Sequence, residues 1–326
     1  MTKKTNLTNI APGEKRRLPR LKRAEKDTLP PLRLTERDNA IIAAVYEYRA
    51  LTTDHIATLL FTPSTLTKCD ERLRKLFHHG FLLRTEQPAN VFEAIKPLVY
   101  WTDQRGIELL ALNRGVDPSE LHWKPNRHKV GTQFLYHLLD TNTVRIAIRK
   151  AAEAQGFTIL DWKNEETLRA EHKTDIVSIT GPQGSTQTTI VIPDDYFLLE
   201  KPLPEENKSR ILRLFVEIDR RTVTGEAKAS SISQRDWAHR IQAYLAYFNS
   251  EAYSRRYGSK AGRVLTVTTG ERRAQHLQEI TEKTGGKARF WFTTFDNVTP
   301  ETVLTAPIWT VASWEGIYGL TDTQQQ

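Results

Sequence analysis

Ile190-Val191-Ile192-Pro193-Asp194-Asp195-Tyr196-Phe197-Leu198-Leu199 and Ile211-Leu212-Arg213-Leu214-Phe215-Val216-Glu217-Ile218-Asp219 are apolar runs that carry acids where a buried strand would carry none. A short charged loop with Pro202 and Pro204 separates them, so they read as neighbouring antiparallel strands. Glu217 and Asp219 are two positions apart, which puts both carboxylates on one face of the second strand. Pairing of the strands would bring Asp194 near that face. Three converging carboxylates repel one another unless a cation sits among them, and an all-oxygen ligand set suits Mg²⁺ or Mn²⁺. Asp194, Glu217 and Asp219 are therefore the candidate metal and catalytic residues. The competing reading places Asp194 and Asp195 in a turn, with Glu217 and Asp219 facing solvent from an edge strand.

The flanking pattern is α/β. A helix is expected from Gln133 to Gln155, ended by Gly156, then a strand at Phe157–Trp162 and another at Ile176–Thr180. After the acidic strands, Trp237, Ile241, Tyr244, Leu245 and Phe248 recur at helical spacing, an aromatic stripe that reads as core. Arg263–Thr268 reads as a strand, Glu271–Thr284 as a helix, Arg289–Thr293 as a strand, and Ile308–Val311 as an edge element. The order is that of an α/β domain around a mixed central sheet, spanning 133–318 with a polar tail at 319–326.

The N-terminal half is patterned differently. Thr35 with Asp38 forms a capping-box start, a second short helix begins after Thr52-Thr53, and Thr62-Pro63 opens a third that ends at Gly80. Leu66, Cys69, Leu73, Leu76 and Phe77 form the expected buried stripe of the third helix. Its polar side offers Ser64, Thr67, Lys68, Arg72, Arg74 and Lys75. Phe81–Arg84 and Leu98–Thr102 follow as two strands of a β-wing, and Asp103–Leu112 as a closing helix. Three helices and a hairpin predict a winged helix-turn-helix over 34–112, whose third helix enters the major groove of double-stranded DNA. Residues 113–132, with Gly115, Pro118, Pro125 and Gly131, read as a linker.

Charge reinforces the DNA reading. Of the net +8, residues 1–33 carry ten basic side chains against three acids, leaving the other 293 residues almost neutral. Five of those 33 residues are Pro or Gly, so a disordered basic arm is expected, with Arg16, Arg17, Arg20, Lys22 and Arg23 as backbone contacts. A lone cysteine, Cys69, excludes a disulfide framework and a cysteine-rich zinc module. No apolar run approaches membrane length and no signal-peptide core is present, so a cytoplasmic protein without a membrane partner is expected. There is no GxxxxGK[ST] loop for a replication ATPase and no His-x-His for a paired-histidine relaxase.

The Pro193-Asp194 strand followed by Glu217-x-Asp219 resembles the PD-(D/E)xK nuclease fold, which implies Mg²⁺ on the Asp and Glu. The position two after the Glu is usually Lys in that fold. Here it is Asp219, so an intact hydrolytic site does not carry over. Arg220, Arg221, Lys228 and Lys163 are candidates for a displaced cation, and Glu165, Glu166 or Glu153 for a completing acid. With the N-terminal pattern, the Ile192–Asp195 run and Glu217-Ile218-Asp219-Arg220-Arg221-Thr222, the chain is similar to the replication-relaxation family. Many members have Gly where this chain has Arg221. That resemblance implies a protein of bacterial plasmids or integrative elements, acting in replication, mobilisation or relaxosome assembly beside other such proteins. Three functions follow as expectations: a DNA-binding protein with a nuclease-like domain that does not cleave, an active metal-dependent endonuclease, or a transcriptional regulator whose second domain senses or dimerises. A second copy of the chain is a candidate partner.

Overall fold

The computed structural model describes residues 20–25, 29, 31–88, 96–180, 184–203, 208–220 and 234–322. The chain divides into two compact units, Met1–Val130 and Gly131–Gln326.

In the first unit, α1 (Glu36–Glu47) starts at Thr35, whose hydroxyl accepts from the Asp38 N–H while Asp38 answers the Thr35 N–H. A two-residue strand β1 (Leu51–Thr52) precedes α2 (Thr53–Leu60), which Thr52 caps in the same reciprocal way with His55. A short 3-10 turn over Pro63–Thr65 leads to α3 (Thr67–His78). Strands β2 (Leu82–Thr85) and β3 (Val99–Thr102) then precede α4 (Gln104–Arg114). The sheet order is β1-β3-β2, all antiparallel. Ile41, Ile42, Val45, Ile56, Leu73, Leu76 and Ile107 fill the core beneath it.

Three expectations change here. Leu66 is not in the buried stripe: the helix proper begins at Thr67, so Leu66 stands at its N-cap and is 47% exposed. The expected linker 113–132 belongs to the first unit up to Val130. Leu121 is buried, the Trp123 indole donates to the Thr102 carbonyl at 3.1 Å, and the His122 N–H donates to the Tyr46 hydroxyl at 3.1 Å. The arm is not free throughout. Arg23 donates to the carbonyls of Phe77 at 3.0 Å and Leu82 at 3.2 Å and pairs with Asp103, which fixes this stretch to the unit. Residues 1–19, with Arg16 and Arg17, lie outside the described residues.

The second unit opens with α5 (Thr132–Gln155), β4 (Thr158–Asn164), α6 (Glu165–His172) and a hairpin of β5 (Val177–Thr180) with β6 (Thr186–Thr189). Then come β7 (Asp195–Leu203), β8 (Lys208–Asp219), α7 (Gln234–Phe248), α8 (Glu251–Tyr257), β9 (Arg263–Thr268), α9 (Glu271–Lys283), β10 (Phe290–Thr294) and β11 (Thr310–Val311). The mixed sheet has the order β11-β10-β9-β8-β7-β4. β7 is antiparallel to both β4 and β8, whereas β8, β9 and β10 run parallel. Alternation along β8 feeds two cores. Leu214, Val216 and Ile218 join Val144, Ile148 and Ala151 of α5, while Phe215 joins Trp237, Ile241 and Tyr244 of α7.

Pro202 lies within β7, opposite Ser209, rather than in the loop. The tail expected at 319–326 begins too early, because Leu320 is fully buried. The side chains of Lys201, Arg210 and Arg263 donate to the carbonyls of Thr321, Asp322 and Leu320.

Candidate functional site

β8 is an interior strand, so Glu217 and Asp219 are both buried rather than facing solvent from an edge. Their spacing puts them on one face, but two helices cover that face and each brings an arginine. On α7, Arg240 and Tyr244 are one turn apart. The Tyr244 hydroxyl donates to Glu217 Oε1 at 2.6 Å and the Arg240 guanidinium pairs with Oε2. On α9, Arg273 reaches both Asp219 oxygens at 2.9 and 3.0 Å, and the Thr268 hydroxyl donates at 2.8 Å. Asp219 therefore has its own cation, whereas the expectation put it with Asp194 and Glu217 on one metal.

Asp194 sits immediately before β7, where its N–H donates to the Val216 carbonyl at 3.0 Å. Its Oδ2 accepts the Ile218 N–H at 2.7 Å, and Oδ1 lies 3.1 Å from His137 Nε2 on α5. Asp195 is buried opposite Val216 in the strand pairing. Burial, with the Asp194 charge adding and Arg145 opposing, raises its carboxyl well above the usual range.

Asp194 and Glu217 line one cavity of about 330 Å³ with Glu165, Arg169, His239 and Arg240. Burial pushes the Glu217 carboxyl up to about 7, against Arg240 and with Asp194 adding. Burial works against charge on His137, yet the Asp194 carboxylate overrides it and lifts the imidazole to about 9, with Glu165 and Asp140 adding. Among the described residues, no group of three or more His, Cys, Asp and Glu side chains is arranged to hold a metal ion. Glu165, which lines the cavity with Asp194 and Glu217, pairs with Arg169 one turn away at 2.5 Å. Of the other candidates, Glu153 pairs with Lys150 at 2.6 Å, Lys163 with Glu171 at 2.8 Å, and Arg220 with Asp140 at 3.1 Å. Arg221 and Lys228 lie outside the described residues.

In the first unit, Ser64, Thr67, Lys68 and Arg74 are exposed along α3 and the turn before it. Arg72 is not on that surface. It holds the fully buried Asp38 through Nε at 2.8 Å and a second contact, and donates to the Arg33 carbonyl at 3.3 Å. Lys75 pairs with Glu71 one turn away at 2.6 Å. Arg20 lies 3.6 Å from Glu86, and Lys22 is exposed.

Sequence reasoning missed His137, Arg240 and Arg273, and read Tyr244 only as core. A usable signal existed for Arg240, which falls one turn before Tyr244 on the face given to the core. His137 and Arg273 carry no such mark.

A family model described as replication-relaxation matches residues 42–262. No curated protein and no solved structure matches the chain.

Proposed function

Since the chain belongs to the replication-relaxation family, we propose that it is a DNA-binding protein of a bacterial plasmid or integrative element, serving replication, mobilisation or relaxosome assembly. The first unit acts as a winged helix-turn-helix. Supporting this are three helices, the hairpin β2–β3, and β1 as a third strand against β3. Ser64, Thr67, Lys68 and Arg74 form the surface offered to the major groove, with phosphates held by lysine and arginine and base edges met by the hydroxyls. The second unit is a nuclease-like scaffold. Its antiparallel β4-β7-β8, followed by α7 and parallel β9, supports that reading.

The observation that carries the non-cleaving form is the engagement of all four oxygens of Asp194 and Glu217 by His137, Ile218, Arg240 and Tyr244. A divalent cation would have to displace two cationic partners in a buried site, where removing a partner leaves the remaining charge poorly solvated. A second reading, an active endonuclease, is favoured by one feature: Glu165, Asp194, Glu217 and Arg240 line a single cavity, so α7 supplies the cation absent at position 219. If Mg²⁺ or Mn²⁺ bound there, it would activate water and stabilise charge on phosphate.

Incubating the full chain with supercoiled and linear plasmid in Mg²⁺, Mn²⁺ or EDTA separates the two. Retarded, uncut DNA in every lane is expected, with Lys68→Ala and Arg74→Ala together weakening retardation without unfolding the protein. Metal-dependent nicking that disappears in both Asp194→Ala and Glu217→Ala would instead establish the endonuclease.

A further inference from the structure

The first unit contains a second cavity, of about 310 Å³, away from the exposed face of α3. It is bounded by Tyr46 at the end of α1, by Trp101–Gln104 at the β3–α4 junction, and by the 123–128 segment. Among the described residues four cationic side chains line it, Arg23, Arg49, Lys124 and Arg127; Asp103 in the lining binds Arg23, and Arg127 donates to the His122 carbonyl. Two half-buried aromatic rings, Tyr46 and Trp123, face the same space. The Trp123 indole N–H donates to the Thr102 carbonyl.

We propose that this cavity binds a nucleoside phosphate. Arg49, Lys124 and Arg127 would take the phosphate, and Trp123 and Tyr46 the planar base. The volume is at the small end for drug-sized ligands, about 300 Å³, and admits a mononucleotide rather than a longer strand. The chemistry is shared by a free nucleotide and by the phosphorylated end of a DNA strand. The proposal does not depend on α3 reading DNA, because the two surfaces share no residue.

Calorimetry on the full chain with thymidine 5′-monophosphate, thymidine and inorganic phosphate tests it. The monophosphate is expected to bind saturably and more tightly than either fragment. Lys124→Ala with Arg127→Gln should weaken it about tenfold or more through loss of charge-assisted bonds. Thermal melts establish that the variant folds. The proposal is overturned if the monophosphate binds no better than phosphate, or if the double variant leaves its affinity unchanged. Competition between 5′-phosphorylated and 5′-hydroxyl trithymidylate then assigns the source. A preference for the phosphorylated strand, lost in the double variant, identifies a DNA end, and competition by the mononucleotide alone identifies a free nucleotide.

Discussion

His137 and Asp194 form a pair whose titration can be followed. The Asp194 carboxylate, 3.1 Å away, holds the imidazole charged up to about 9, above its ordinary 6.5, although burial opposes the charge. Glu165 and Asp140 face the same ring and act in the same direction. A raised folded-state pKa contributes stability that is complete below the unfolded value and is lost as pH rises through the folded one. The His137 contribution is thus whole below about 6.5 and gone above about 9. Asp194 is depressed by the same partner, burial opposing, so its contribution is lost only on the acid side of its ordinary 3.8. Urea unfolding at successive pH values should show the wild type losing its advantage over His137→Gln between about 6.5 and about 9. A constant difference across that window would refute the pairing. Glu217, like His137, favours the fold less as pH rises. Its folded pKa is raised to about 7 from 4.5, so it destabilises the fold progressively as pH rises between those values.

At the scale of elements, the third helix shows how a polar face divides between solvent and structure. Arg72 looked like one of a row of groove-reading cations, yet it ties α3 to the start of α1 through buried Asp38. Removing one partner of a buried pair leaves an uncompensated charge, so Arg72→Ala should lower unfolding free energy by about 3 kcal/mol. Lys68→Ala should change it by no more than about 0.5 kcal/mol while weakening DNA binding. Denaturant midpoints beside gel retardation would check both. Equal stability losses in the two variants would sink the division. The helix existed in the sequence as periodicity, with Cys69, Leu73, Leu76 and Phe77 buried as the spacing requires. Which of its cations faced inward was not legible there, because Asp38 lies 34 positions away.

Over the whole molecule, charge is the property that sequence states most directly. Almost all of the net +8 belongs to residues 1–33, but structure holds Arg23 against the first unit. Arg23 is thus withdrawn from the tether, which keeps Lys3, Lys4, Lys15, Arg16, Arg17, Arg20 and Lys22. Deleting residues 1–19 should weaken DNA binding and flatten its dependence on salt, by about 0.9 in log–log slope for each phosphate that the arm neutralises. An unaltered slope would refute the tether. No helix among the described residues is long and apolar enough to cross a membrane.

The sequence by itself determined the strands and helices that build the sheet of the second unit, and the placing of Glu217 and Asp219 on one face of β8. These follow from backbone periodicity, which acts over a few residues. Short α6 and α8 escaped because 8 and 7 residues give periodicity little to show. Only the tertiary structure decided what each carboxylate meets. His137 reaches Asp194 across 57 positions, Arg240 reaches Glu217 across 23, and Arg273 reaches Asp219 across 54. A charge pair is a property of distance in space, and the packing of α5, α7 and α9 against the sheet sets that distance, whereas residue spacing along the chain does not.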